Sequence, residues 1–170
     1  MAHLTAAASI GRVRWMRSVL GARFDFDLHN RRRLDEHLGS SPEDTRQRFE
    51  RTVGNRVGAS GAVWAWLGEV IVHATDIRVP LHIDSDPDLE SVVFVAGHYA
   101  AKDFAVPSQS TVKDLRLEAT DSDFVSGTGP TVTGRTLDLV MVMAGRGRHL
   151  QHLTGDGVPY LARRVGPNTG

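Results

Sequence analysis

A chain of 170 residues, 41% hydrophobic and 24% charged, can bury one sizeable core or two small ones and does not have the composition of a disordered tail. Its 20 basic residues balance 20 acidic ones, so no overall field draws it to a phosphate backbone or an anionic membrane, and no nucleic acid and no membrane is expected among its partners. Cysteine is absent, which removes disulfides, thiolate metal ligands and any protein-borne thiol nucleophile, and points to a reducing, cytoplasmic compartment; sulfur chemistry here has to use the sulfur of another molecule.

In chain order, residues 1–20 read as an amphipathic helix, because Leu4, Ala8, Trp15 and Val19 recur on one side, and Gly21 closes it. Asp27 is placed to cap a second, polar helix through Leu28, Leu34 and Leu38, ended by Gly39, with Arg31, Arg32 and Arg33 as a solvated face. Ser41, Pro42 and Asp44 form a start signal of cap, first-turn proline and first-turn acid, after which Phe49, Val53 and Val57 repeat every four residues. A Gly/Ser loop over 58–61 leads into a fourth helix, Val63 to Ile77, apolar over most of its circumference and expected to be the most buried; Pro80 stops it.

From Leu81 the texture changes, which predicts a domain boundary near Pro80, with a helical bundle over 1–80 and a small α+β domain over 81–165. An acidic turn, Asp84 to Asp88, precedes a helix through Leu89, Val92, Val93, Ala96 and Ala100, with Pro87 at its start. Leu115, Leu117 and Ala119 alternate with Arg116, Glu118 and Thr120, the period of a strand; Asp121 to Asp123 turns into Phe124 and Val125. Gly127, Gly129 and Pro130 make a tight connection to a strand at Thr131 to Thr133; a helix from Arg135 to Ala144 and a helical piece after Gly157 follow.

The most informative stretch for chemistry is Glu69 to Ile77. Glu69 and His73 are four apart on a helix and project from one face, a spacing at which a carboxylate oxygen and an imidazole nitrogen grip one divalent metal. Asp76 is placed to orient an imidazole from behind. Such a pair also occurs as an ordinary surface contact. The apolar helix around it favours a metal, since a buried carboxylate needs a cation nearby. Of the remaining histidines, most are expected to be exposed or loosely satisfied; His3, at the start of the first helix, is either a frayed terminal residue or a further ligand facing the fourth helix.

His3-Leu4-Thr5, then Gly21 to Asp27 leading to His29-Asn30, then Glu69 to Leu81, in that order, resemble successive signatures of the maleylpyruvate isomerase family of mycothiol-dependent enzymes. Leu115 to Asp121, Gly127 to Gly129, Ala144-Gly145-Arg146 and Leu153 to Gly157 resemble its small C-terminal domain, so the resemblance covers nearly the whole chain. It implies an α+β protein: a DinB-like helical bundle holding a divalent metal, usually zinc, through His3, Glu69 and His73, followed by an appendage that helps bind mycothiol, the low-molecular-weight thiol of actinobacteria, with Arg146 implicated. The implied activity is that of an isomerase, in which a metal-activated thiolate adds to a cis double bond and leaves after rotation, or of a thiol-transferase, for which the same thiolate serves. Arg14, Arg17 and Arg78 are candidates for substrate carboxylates, beside their ordinary role as surface charge.

The family pattern has a further helix upstream of the His-Leu signature, whereas His3 stands almost first here. The expectation is therefore a bundle short of one element, with an apolar strip around Leu4, Ala7, Ala8 and Trp15 exposed, weak metal retention, and marginal stability or self-association that supplies the cover. The same departure supports an alternative of another class, a non-catalytic metal- or thiol-binding remnant acting as a structural or interaction module.

Overall fold

A computed structural model describes residues 26–55 and 62–166, together with Ala2, Thr5, Ala6 and Ser9. The contacts divide the chain into two compact units, Met1–Trp66 and Leu67–Gly170, upstream of the Pro80 boundary expected from texture. In the first unit, α1 (Phe26–His37) and α2 (Pro42–Glu50) are described. Helix α3 (Val63–Arg78) runs through the division. The second unit continues with α4 (Leu89–Ala101), α5 (Ser108–Val112), β1 (Arg116–Ala119), β2 (Val125–Ser126), β3 (Thr131–Gly134), α6 (Thr136–Met143), a 3-10 helix (Gly147–His152) and α7 (Val158–Val165). Helices with a small three-stranded sheet make this an α+β fold. No helix among the described residues is long and apolar enough to cross a membrane.

The start signal at Ser41 operates as expected: its hydroxyl accepts the Asp44 N–H at 3.1 Å, while Asp44 Oδ2 accepts the Ser40 N–H and Thr45 Oγ1 the Gly39 N–H, each at 2.9 Å. The first satisfies a donor that the helix start leaves open, and the other two tie the incoming chain onto the first turn. Three expectations in this unit are corrected. Asp27 lies inside α1, which begins one residue earlier, so it is not the cap. Arg33 does not belong to a solvated face; only 6% of it is exposed, and it bonds Glu36 and His37 one turn on, whereas Arg31 and Arg32 are exposed. The third helix stops at Glu50, and Val53, 73% exposed, lies in the turn after it, where Gly54 takes φ +98°.

The core of the second unit forms where α4 and α6 pack together and α6 backs onto the sheet and the 3-10 helix. Val92, Val95 and Ala96 of α4, Leu139 to Met143 of α6, Leu117 of β1 and Val132 of β3 are all buried. Thus α6, and not α3, is the most enclosed helix: α3 leaves Val63, Val70 and Ile77 exposed. Helix α5 and the 3-10 helix have no sequence signal of their own, being too short for a hydrophobic period to register.

Strand β1 is central, antiparallel to β2 and parallel to β3. Parallel neighbours this close in sequence require the chain to cross directly past the start of β1, and Gly127 and Gly129 make that crossing. They take φ +76° and +128°, and a Cβ on either would stand 2.2 Å from a carbonyl oxygen, of Leu115 and Asp114 respectively. The outer edge of β3 is covered by the Leu153 to Gly157 segment: Thr133 and Thr154 exchange N–H···O bonds at 2.8 Å, and Thr131 donates its N–H to Asp156 at 2.7 Å. Covering the edge removes a template for unwanted pairing.

Asp121 closes the sheet onto α6. Its Oδ1 accepts the Thr136 N–H at 2.8 Å and hydroxyl at 2.6 Å, supplying the cap that Arg135 at the N-cap position does not. Burial pushes this carboxyl up, but the two Thr136 bonds and Arg135 outweigh it and hold it below the usual aspartate value. Folding therefore favours the ionised form. Its contribution is complete above the ordinary value of about 3.9 and is lost as pH falls through the lowered one. Asp121→Ala is expected to cost about 1–2 kcal/mol at neutral pH and to flatten the acid limb of a stability–pH curve measured by urea denaturation; an unchanged midpoint would remove this role.

Candidate functional site

On α3, His73 Nε2 lies 3.1 Å from Glu69 Oε2, and both side chains are about a third exposed or less. Two ligands at zinc bond lengths in tetrahedral geometry stand about 3.3 Å apart, so the donor pair is spaced as a bidentate grip on a cation. At this distance a carboxylate and a ring nitrogen need a proton or a cation between them, since two lone pairs would repel. Cation binding thus has to displace that proton. Among the described residues no group of three His, Asp or Glu side chains is arranged around one point. His3, the third ligand implied by the resemblance, lies outside the described residues, as do Arg14, Arg17 and the strip at Leu4, Ala7, Ala8 and Trp15; Ala2, Thr5 and Ala6 are buried.

Asp76 serves a different purpose from the expected one. Its Oδ2 is 3.6 Å from His73 Nδ1, too long for a direct hydrogen bond. The carboxylate is instead spent on two arginines: Arg146 Nε and Nη2 reach Oδ2 at 3.2 and 2.9 Å, and Arg148 Nη2 reaches Oδ1 at 2.9 Å. Arg146, which the resemblance implicates in binding the thiol cofactor, is therefore held by Asp76 one turn from the Glu69–His73 pair. Its Nη1 also donates to the Ala144 carbonyl at 2.7 Å. Arg148 gave no sequence signal, because its value comes from a partner 72 residues away. Arg78, the remaining candidate for substrate, donates to the Ser85 carbonyl at 3.4 Å, a local bond at the end of α3.

Tyr99 of α4 borders the same ground. A Cβ at Gly68 would meet its hydroxyl at 2.5 Å, so the phenol lies directly against the turn of α3 that carries Glu69. Burial pushes Tyr99 up to about 12, with Glu69 adding to the shift and Arg146 opposing it. It stays a protonated donor at any physiological pH.

One histidine departs fully from expectation. His149 is only 5% exposed, with Nδ1 2.7 Å from Asp138 Oδ1 and a buried Nε2 that has no hydrogen-bond partner. The pair fastens the 3-10 helix to α6, which carries Asp138. Elsewhere, a pocket of about 200 Å³ opens beside α5 and the β1–β2 edge, lined by Gln109, Lys113, Asp114 and Thr128 among others; it contains none of the site residues expected from sequence.

No family model, curated protein or solved structure matches the chain.

Proposed function

We propose that this protein is a metal-dependent, mycothiol-using isomerase or thiol-transferase with a DinB-like bundle, in which Glu69 and His73 supply two of the metal ligands. The observation that carries the reading is the convergence of Glu69 Oε2 and His73 Nε2 to 3.1 Å on a helix whose next turn binds Arg146 through Asp76. The absence of cysteine agrees with it, since the nucleophilic sulfur then belongs to the cofactor. A bound divalent cation supplies Lewis acidity that lowers the pKa of an incoming thiol. The protein's own side chains would do the rest: Glu69 and His73 would hold the cation, the Asp76 pairing fixes the Arg146 guanidinium one turn from them, and Tyr99 offers a neutral hydroxyl at the turn that carries Glu69.

Elemental analysis and calorimetric zinc titration test this. The parent protein is expected to hold one zinc per chain, His73→Ala to lose it, and mycothiol to bind only with the metal present. If His73→Ala keeps the parent's stoichiometry, Glu69 and His73 are not the ligands and the reading fails. His3→Ala forms a separate arm: unchanged zinc affinity in that variant would mean that the third ligand lies elsewhere.

A further inference from the structure

The pocket beside α5 and the β1–β2 edge lies where the sheet runs out: β2 is two residues long and α5 five, and they leave between them a cavity of about 200 Å³. Its floor is apolar, formed by the buried residues Val112, Leu115 and Leu117. Ser126 pairs directly with Leu117, so its hydroxyl shares the face of the sheet that carries Leu117. At the rim stand Lys113 and Asp114, adjacent, exposed and opposite in charge. Among the described residues neither the ammonium nor the carboxylate is engaged in a hydrogen bond or ion pair. Their backbone is fixed all the same. Arg164 Nη1 donates to the Thr111 and Lys113 carbonyls, and Asp114 takes φ +59°, a left-handed conformation that aspartate adopts more readily than most residues.

We infer that this pocket binds a free α-amino acid with an aliphatic side chain, its carboxylate at Lys113, its ammonium at Asp114 and its side chain over the apolar floor. Volume sets the size. An apolar cavity of about 150 Å³ holds a benzene-sized ligand, so about 200 Å³ takes about eight or nine non-hydrogen atoms, the size of valine or leucine. Charge sets the chemistry. An acid without the ammonium would lie against Asp114, an amine without the carboxylate against Lys113, and a neutral alcohol would displace water from both charges without replacing the bonds lost. A zwitterion meets both charges and leaves the rim neutral. Glu69 and His73 take no part in this pocket, and binding there is independent of a metal on α3.

Titration of the whole protein with L-leucine, followed by calorimetry and by amide chemical shifts, tests the assignment. Leucine is expected to bind saturably and to move the amides of residues 109–117 and 126–128. Isocaproate, which lacks the ammonium, and isoamylamine, which lacks the carboxylate, are each expected to bind about tenfold more weakly or less. Lys113→Met and Asp114→Asn are expected to weaken leucine to a similar degree. Asparagine is at home in the left-handed conformation, so Asp114→Asn removes the charge without disturbing the turn and keeps the test decisive if the lysine variant fails to fold. His73→Ala should bind leucine as the parent does. Absence of saturable binding, unchanged affinity in the folded rim variants, or an analogue of single charge that binds as tightly as leucine overturns the assignment. Loss of leucine binding in His73→Ala also overturns it, because the amino acid would then sit on a metal at α3.

Discussion

Gly129→Ala is expected to destabilise the protein by about 3 kcal/mol or more. Two costs coincide there. The backbone is at φ +128°, which side-chain-bearing residues rarely adopt, and the new Cβ would stand 2.2 Å from the Asp114 carbonyl oxygen, an atom held in the main chain that cannot swing aside. Relief requires the crossing between β2 and β3 to lift away from the start of β1, which would strain the bond from the Arg116 N–H to the Pro130 carbonyl, 3.0 Å long. Two other glycines calibrate the measurement. Gly145 has φ +86° but nothing within 4 Å, so alanine there is expected to cost only about 1 kcal/mol. Gly97 is exposed inside α4 with nothing within 4 Å, and alanine should stabilise by about 0.5–1 kcal/mol. Urea midpoints in the order Gly97→Ala, parent, Gly145→Ala, Gly129→Ala, from most to least stable, are the expected result; a Gly129→Ala protein as stable as Gly145→Ala would show that the crossing is not close-packed.

Asp76→Asn is expected to lower stability by about 2 kcal/mol, between the small worth of exposed ion pairs and the larger loss when a buried one is broken. Asparagine keeps the volume and one acceptor oxygen but no charge, so two guanidinium groups lose their common counter-ion at once. Arg146 and Arg148 would then stand as unopposed positive charges beside His73. Because both arginines depend on a single carboxylate, their losses do not add: in a double-mutant cycle, Arg146→Met should cost clearly less in the Asp76→Asn background than in the parent. Additive losses from thermal or urea unfolding would mean that the three side chains do not act as one unit.

What could be read locally was readable in the sequence. The period-two alternation at Leu115 to Thr120, the cap and proline at Ser41 and Pro42, and the apolar periodicity around Val92 and Ala96 each specify an element through neighbours a few residues away: β1 and α4 lie there within one or two residues, and α2 starts where its cap and proline place it. The Glu69–His73 pairing was legible for the same reason, since four residues on a helix is a fixed geometry. Helix α5 and the 3-10 helix were not, because one or two turns carry no period.

Long-range pairing was decided only in the folded chain. Sequence spacing assigned Asp76 to the imidazole three residues before it, but two guanidinium groups arriving from 70 and 72 residues away are stronger partners for a carboxylate and took it instead. His149 stands among the histidines of which most were expected to be exposed or loosely satisfied, yet packing of the 3-10 helix against α6 buries it and Asp138 supplies its partner. The glycines at 127 and 129 announce a turn in any sequence; only the tertiary structure shows that their missing side chains make room for the backbone of Asp114 and Leu115, just before β1. In each case the sequence by itself determined which chemical groups were available and on which element, and the tertiary structure determined which of them met, because that choice depends on contacts whose partners lie far apart along the chain.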